Sequence, residues 1–307
     1  MASTTAQAEA LAHSAAVYVR DDLAAVAVCG EDRLRWLNGQ ITCDARNAVG
    51  NRGVYGLAVT VRGKIMADLW VVDRGEHLLV LLPRTALDTV LASFERQIIM
   101  DDVELRREPT LAVISVQGPR SKEVIEPEAE QAHHCDELAH DGYFVLSPGT
   151  ERSTVFERLR LRAETLGGCA IDAEGYELAR LRAGRGRFGA DFGEHEYPQE
   201  AGLGALAVSF EKGCYLGQEV VCTLENRGRL TRRLVRLELS QHAEAKAGAE
   251  LRDEQGHAMG SLTSSAHDPE SDRTLALGYV KRAHAVAGQR LQTAGGPAQV
   301  VAIVGGD

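Results

Sequence analysis

Cys214 is surrounded by residue types that together favour a reactive thiol. The segment 211–219 reads EKGCYLGQE, which places two glycines, a lysine and a Gln-Glu pair around the cysteine. Gly213 and Gly217 permit close backbone approach or positive φ on both sides of it. The Lys212 ammonium favours a thiolate next to it, and a helix that starts near Gly217 adds the positive end of its dipole. Such a thiolate acts as a nucleophile, a soft metal ligand or a redox-sensitive group; the alternative is a structural turn with an ordinary buried cysteine.

The second feature is a pair of arginine runs in an otherwise acidic protein. The runs comprise Arg180, Arg182, Arg185 and Arg187 within eight residues, and Arg227, Arg229, Arg232, Arg233 and Arg236 within ten. Guanidinium groups bind carboxylates and phosphates through paired hydrogen bonds, so the runs indicate an anionic ligand or an RNA backbone. The alternative is a solvated face whose arginines pair with the many acidic residues elsewhere in the chain.

Other clusters of polar residues give weaker signals. The cluster with a superficial likeness to a metal site comprises His133, His134, Cys135 and His140. Adjacent residues of a strand point to opposite faces, and no second ligand cluster accompanies these, so we predict no metal site. The pairs Asp21-Asp22 and Asp101-Asp102 are typical of turns or helix caps. The sequence has no P-loop, no GxSxG elbow and no dinucleotide-binding glycine fingerprint.

Length, composition and charge exclude several classes of protein. The chain has 307 residues, 44% of them hydrophobic and 25% charged, which is typical of a globular protein with two or three compact units. The net charge of -10 argues against stable nucleic-acid binding, and no run of about 18 apolar residues exists to span a membrane. Six cysteines without a CxxC pair, and an N-terminus without a signal-peptide pattern, predict reduced thiols and a cytoplasmic location.

Hydrophobic periodicity predicts an α+β architecture that ends in a β-barrel. Alternation over 55–61 and 65–72, with a turn at Arg62-Gly63-Lys64, predicts a hairpin. A helical period follows from Thr85. Mixed strands and helices without strict βαβ alternation favour the α+β class. After about residue 230 only short strand patterns occur, separated by Gly, Asp and Pro, which is typical of a small all-β barrel.

Further stretches of sequence accompany the segment around Cys214. They are 33–42 with its WLNGQ core, GKIMAD at 63–68, 183–191, and PQEAGL at 198–203. Together with Lys212 to Glu219 they resemble the YgfZ branch of the folate-binding, glycine-cleavage T-protein superfamily. The branch signature KGCYxGQE matches this chain at every defined position, and the resemblance covers about Asp21 to Val304.

The resemblance implies a three-lobed fold around a central channel. Two intertwined α+β lobes, including a hairpin lobe at about 50–110, form a folate-binding region over 1–229, and a β-barrel follows over 230–307. The implied cofactor is tetrahydrofolate or a one-carbon derivative. The implied role is support of iron–sulfur cluster assembly or repair, indirectly tRNA methylthiolation, with iron–sulfur proteins or assembly factors as partners.

The implied catalytic residues are Cys214, Lys212 and Asp68. The implied folate-binding residues are Asn38, Gln40, Asp68, Arg182, Tyr215, Gln218, Glu219 and Arg227.

The chain departs from the aminomethyltransferases of this superfamily at two positions. Those enzymes carry an Asp-Asp pair in the hairpin motif, where this chain has Ala67 and Asp68. They also carry a pterin-binding Glu where an ungapped alignment places Arg182. A guanidinium cannot accept hydrogen bonds from the pterin N–H groups as a carboxylate does, which argues against the usual folate contact; Glu177 and Glu200 are candidates to substitute for the missing Glu.

Three hypotheses about function remain open. The first is a folate-dependent accessory protein for iron–sulfur proteins, with Cys214 as the acting thiol. The second is a tetrahydrofolate-dependent aminomethyltransferase of glycine cleavage or a related one-carbon transfer, which Asp68 supports and Cys214 does not. The third is a binding module that keeps the fold without folate, as Arg182 suggests.

Overall fold

The computed structural model describes residues 4–138, 141–227, 230–240 and 245–306. Its helices are α1 (Thr4–His13), α2 (Arg33–Asn38), α3 (Leu87–Glu95), α4 (Ser121–Ile125), α5 (Arg152–Thr165), α6 (Ala173–Arg182), α7 (Gly204–Ala207) and α8 (Gln218–Arg227). Its strands are β1 (Ala16–Val19), β2 (Leu23–Cys29), β3 (Val54–Val59), β4 (Ile65–Asp73), β5 (Leu78–Pro83), β6 (Glu104–Arg107), β7 (Leu111–Gln117), β8 (Ala132–His134), β9 (Gly142–Pro148), β10 (Cys169–Ala170), β11 (Arg232–Leu239), β12 (Glu250–Arg252), β13 (Ala258–Asp268), β14 (Arg273–Lys281), β15 (Arg290–Thr293) and β16 (Gly296–Ile303). None of the described helices is long and apolar enough to cross a membrane.

The predicted hairpin is present as β3 and β4, in a sheet with the strand order β3-β4-β5-β2-β6. Alternation along β4 sends Val71 into a core with α2 and α3, whereas Trp70 lies on the opposite face together with Asp68. The turn requires glycine at Gly63, which has a φ of +71°. A Cβ there would lie 3.1 Å from Val220, so the missing side chain lets α8 pack against the turn.

A second five-stranded sheet, in the order β10-β1-β7-β9-β8, packs face to face with the first. Both faces of its central strand β7 are covered, so the strand is buried from Ala112 to Gln117, and its two polar residues, Ser115 and Gln117, are hydrogen-bonded within the protein. Ile114 and Val116 pack with α4 and α5, while Val113 packs with Trp70 of the first sheet. The shared core fixes the separation of the two sheets.

The C-terminal strands close a six-stranded barrel in the order β11-β14-β13-β12-β15-β16, with β16 paired back to β11. Along β11, Val235 and Leu237 enter the barrel core, and Arg236 between them points away from it. The α+β class and the C-terminal barrel are therefore confirmed. The boundary between 229 and 230 stays a prediction, since Gly228 and Arg229 lie outside the described residues.

A buried ion pair joins helix α6 to the barrel. Arg180, only 2% exposed, donates to Asp191 Oδ2 at 2.6 Å and to the hydroxyl of Ser264 in β13 at 2.8 Å. Asp191 in turn accepts from the hydroxyls of Thr263 and Ser264, and Glu177 accepts from Arg180. Burying two charges is costly, but here each is paired and hydrogen-bonded on several sides.

Removing one partner of this pair should destabilise the protein strongly. Asp191→Asn keeps the shape of the side chain but removes the fully buried counterion of Arg180 and leaves it only the partly exposed Glu177, at a cost of about 3–5 kcal/mol. Chemical unfolding followed by circular dichroism measures the loss. Asp88→Asn, which breaks the exposed pair with Arg107, is the matched control and should cost about 1 kcal/mol or less. Equal effects of the two substitutions would contradict a structural role for the buried pair.

Candidate functional site

A cavity of about 750 Å³ lies where the two sheets, helix α6, the start of α7 and the C-terminal segment meet. Small-molecule sites commonly have volumes of about 300–1,000 Å³ and largely apolar walls with a few convergent polar groups. The apolar part of this wall includes Tyr55, Trp70, Leu81, Tyr176, Phe188 and Leu206. The charged residues that line the cavity include Arg20, Asp68, Glu137, Arg180, Arg185 and Arg187. The cavity therefore has the form of a ligand site.

Asp68 is a buried acidic residue of this wall with spare hydrogen-bonding capacity. Its Oδ2 accepts a hydrogen bond of 2.9 Å from the Tyr55 hydroxyl, whereas its Oδ1 is shielded from solvent and has no partner among the described residues. Burial raises the pKa of Asp68 above its ordinary value of 3.8, against the opposing effects of the Tyr55 hydrogen bond and the Arg20 charge. Such a carboxyl can accept an N–H group of a ligand or take up a proton.

Arg20 and Glu137 form ion pairs and hydrogen bonds with other side chains of the protein. Arg20 binds Asp22 through two hydrogen bonds of 2.8 Å and also contacts Glu137. Glu137 accepts from the hydroxyls of Ser115 at 2.5 Å and Tyr176 at 3.2 Å as well. This network holds the Tyr176 ring in the cavity wall.

The arginines of the first run differ in their roles: Arg180 and Arg182 form ion pairs that attach α6, whereas Arg180, Arg185 and Arg187 line the cavity. Arg180 belongs to the buried ion pair, and Arg182 binds Asp268, the last residue of the barrel strand β13, and Glu270 just after it. Arg185 and Arg187 line the cavity. The Nε of Arg185 is shielded from solvent and has no partner in the described part of the chain. A cation with this spare donor favours a ligand with a carboxylate or phosphate group.

Lys212 fastens the segment that carries Cys214. Its buried ammonium donates to the carbonyl oxygens of Asn38 at 2.6 Å, Ile41 at 2.9 Å and Cys43 at 2.6 Å. Burial lowers the pKa of Lys212 to about 8, and the three carbonyl acceptors favour the charged form. The Lys212 ammonium thus donates its hydrogen bonds to the 38–43 segment. Cys214, two residues later, is exposed.

The other predicted site residues lie near this segment rather than in the cavity. Asn38 Oδ1 accepts from the backbone N–H of Ala45 at 3.0 Å, and Gln40 Oε1 is buried without a partner among the described residues. Tyr215 is buried and its hydroxyl likewise has no described partner. Gln218 and Glu219 form the first turn of α8, which starts close to its predicted position. Arg227 ends that helix, and its side chain lies outside the described residues.

Of the predicted residues, Asp68 is the one that the structure places in the cavity wall, so the site divides into a cavity with Asp68 and an exposed thiol at Cys214. The acids considered as substitutes at the pterin also lie outside the lining. Glu177 binds Arg180, and Glu200 accepts from the Tyr197 N–H at 3.1 Å.

Sequence reasoning missed most of the cavity wall. Tyr55 could have been found, because alternation places it on the same face of the hairpin as Asp68, across a strand pair that was predicted. Tyr176 lies on α6, a helix that was not predicted. Arg20 lies directly after β1 and Glu137 shortly after β8, and the two meet only in the folded chain, so no local pattern signals them. No group of three or more His, Cys, Asp or Glu residues suited to a metal ion occurs among the described residues.

Comparison with known proteins defines the class of this protein. A model of the GCVT N-terminal domain matches residues 1–141, and one of the glycine cleavage T-protein C-terminal barrel domain matches residues 232–303. These ranges together cover most of the chain, which belongs to the glycine-cleavage T-protein family. A crystal structure of the glycine cleavage system aminomethyltransferase T from Bartonella henselae shares the fold, with a TM-score of 0.86 at 20% identity over 98% of this chain and 89% of that one.

Within the family, the chain is similar to proteins named tRNA-modifying protein YgfZ. It is 28% identical over 243 residues to that of Yersinia pestis (strain Pestoides F), covering 75% of this chain and 73% of the relative. It is 26% identical over 246 residues to that of Yersinia enterocolitica (serotype O:8 / biotype 1B), with the same coverage. The predicted resemblance to the YgfZ branch is confirmed.

Cys214 should be the fastest of the six thiols to react with iodoacetamide at neutral pH. It is exposed, whereas Cys43 and Cys135 are buried and Cys29 and Cys169 partly buried. Burial raises the pKa of Cys43 to about 12, so its thiolate is scarce as well as inaccessible. Peptide mapping by mass spectrometry after timed labelling gives each rate. Equal rates at Cys214 and Cys169 would show that Cys214 is not selectively reactive.

Proposed function

We propose that this protein binds a tetrahydrofolate species in the cavity and supports iron–sulfur cluster assembly or repair, with Cys214 as the acting thiol. One observation carries the folate part: Asp68 and Arg185 both line the cavity, and each has one buried polar atom, a carboxyl oxygen and an N–H, that has no partner among the described residues. A folate presents N–H donors on its pterin ring and carboxylates on its glutamate tail. The two spare groups therefore have the polarity that the two ends of a folate require.

The rest of the cavity fits such a ligand as well. Tyr55, Trp70 and Tyr176 offer aromatic surface for a fused ring and an aminobenzoyl group. When bound, tetrahydrofolate supplies a carrier for one-carbon groups. Asp68 would hold the ring through its free oxygen, and Tyr55 would keep the carboxyl oriented. Arg185 and Arg187 would hold the tail carboxylates.

The accessory role is favoured over the transferase role by where Cys214 lies. The thiol is exposed and outside the cavity lining, where a partner protein can reach it. A thiolate is a soft ligand for iron and a nucleophile toward other sulfur groups, which suits contact with iron–sulfur proteins. The relatives named tRNA-modifying protein YgfZ support this assignment, because tRNA methylthiolation depends on an iron–sulfur enzyme.

The second candidate function is tetrahydrofolate-dependent aminomethyl transfer. It is favoured by Asp68, whose carboxyl has a raised pKa and faces the cavity as a proton acceptor for such chemistry would. Formation of methylenetetrahydrofolate from an aminomethylated carrier protein would establish it. A complete lack of turnover, with folate still bound, leaves the accessory role.

Tetrahydrofolate should bind the purified protein with saturable heat in titration calorimetry. Asp68→Asn should weaken binding about 10- to 100-fold, since a hydrogen bond to a charged group contributes about 1.5–3 kcal/mol. No saturable heat with the unaltered protein would support the hypothesis of a binding module without folate.

The affinity should also depend on pH through Asp68. The ionised carboxylate accepts the ligand N–H, and burial raises the pKa of Asp68, so affinity should fall as the pH drops toward and through that raised pKa. The positive charge of Arg20 lowers the pKa of Asp68, and the negative charge of Asp22 raises it. Titrations of the unaltered protein and Asp68→Asn across acidic pH check this. Parallel pH profiles of the two proteins would rule out Asp68 as the group that titrates.

Cys214→Ala should fail to restore iron–sulfur enzyme activity in a bacterial strain that lacks its own relative of this protein. A methyl group can neither attack sulfur nor bind iron, so activity under oxidative stress should stay near that of the empty vector. Cys169→Ala, which changes a partly buried thiol elsewhere, is the control and should restore activity. Full restoration by Cys214→Ala would remove the acting role of this cysteine.

A further inference from the structure

One continuous stretch of chain, residues 203–217, connects the cavity to Cys214; we call it the connector. At its start, Leu203, Ala205 and Leu206 line the cavity. Near its end, Cys214 is exposed. The cavity wall and the thiol are thus parts of one segment.

Thr42 holds the connector immediately after the cavity wall. Its buried hydroxyl donates to the carbonyl oxygen of Ala207 at 2.6 Å and accepts from the N–H of Leu57 in β3 at 2.9 Å. Its own carbonyl oxygen accepts from the N–H of Ser209 at 2.9 Å. Thr42 does not line the cavity, yet it fixes the residues next to Leu206 against the hairpin sheet.

The far end of the connector is held by the same 38–43 segment. Lys212 donates to three carbonyl oxygens there, and the N–H of Leu216 donates to the carbonyl oxygen of Gly39 at 3.0 Å. Gly217 has a φ of +80°, and a Cβ on it would lie 2.4 Å from the carbonyl oxygen of Thr60. The connector is therefore fastened on both sides of the exposed Gly213 and Cys214.

We propose that the connector couples ligand binding in the cavity to the segment that presents Cys214, with Thr42 and Lys212 as positioning residues of the ligand site. The inference rests on the proposed folate binding. A ligand that touches Leu203 and Leu206 favours the arrangement in which the connector is fastened. Loss of a fastening bond outside the cavity lowers the population of this arrangement. By linkage, the ligand affinity falls by the factor by which that population falls. Buried hydrogen bonds carry the coupling, because each orphaned group would be costly.

A matched pair of variants tests the coupling. Thr42→Val keeps the shape of the side chain and removes the hydroxyl, whereas Thr42→Ser keeps the hydroxyl. We expect the tetrahydrofolate Kd of Thr42→Val to rise about fivefold or more, and that of Thr42→Ser to stay within about twofold of the unaltered protein. Glu211→Gln changes an exposed side chain on the connector itself and should leave the Kd unchanged.

Hydrogen exchange gives a second readout that does not depend on how well a variant folds. In the unaltered protein, saturating tetrahydrofolate should slow exchange at the amides of Ser209 and Leu216, which bond the 38–43 segment outside the cavity. Unchanged exchange at Leu216, or equal Kd values for Thr42→Val and Thr42→Ser, with tetrahydrofolate bound, would overturn the coupling alone. A lack of any tetrahydrofolate binding by the unaltered protein would overturn the proposed function and this inference together.

Discussion

The buried pair of Arg180 and Asp191 is the interaction on which the arrangement of the site depends. Arg180 belongs to α6, Asp191 to the loop that follows it, and the hydroxyls that complete their hydrogen bonds come from the barrel strand β13. These two charges can be buried away from water only because their hydrogen-bonding groups have partners within the protein. Arg180 also lines the cavity. The same contact that attaches the barrel therefore shapes the wall of the ligand site.

Around this junction the protein separates two kinds of chemistry. The cavity offers Asp68 and Arg185, which have spare hydrogen-bonding atoms that water does not reach. Cys214 lies outside the lining, on a segment that Lys212 fastens by three hydrogen bonds. An enclosed carboxyl suits recognition of a small molecule, and an exposed thiol suits contact with a macromolecule. The connector is the physical link between the two.

Sequence patterns predicted the parts of this architecture that depend on local order. Period-two alternation predicted the hairpin that carries Asp68, and the short punctuated strands predicted the barrel. The role of Lys212 could not be read from its neighbours, because its three acceptors lie about 170 residues earlier in the chain. The same holds for Arg20 and Glu137, which no motif links. Groups that satisfy one another over long sequence separations leave no periodic signal.

Arg182 shows how the chain keeps a ligand site while it departs from the aminomethyltransferase pattern. The arginine binds Asp268 and Glu270, so a glutamate at 182 would face two acids and would lose this second contact of α6 with the barrel. In the proposed folate complex, recognition of the ring N–H groups would then fall to a carboxylate that lines the cavity. Glu137 already accepts from three neighbours, whereas one carboxyl oxygen of Asp68 has no partner among the residues that the structure describes. In the proposed folate complex Asp68 would therefore take over the recognition of the ring, and Arg182 does not by itself argue against folate.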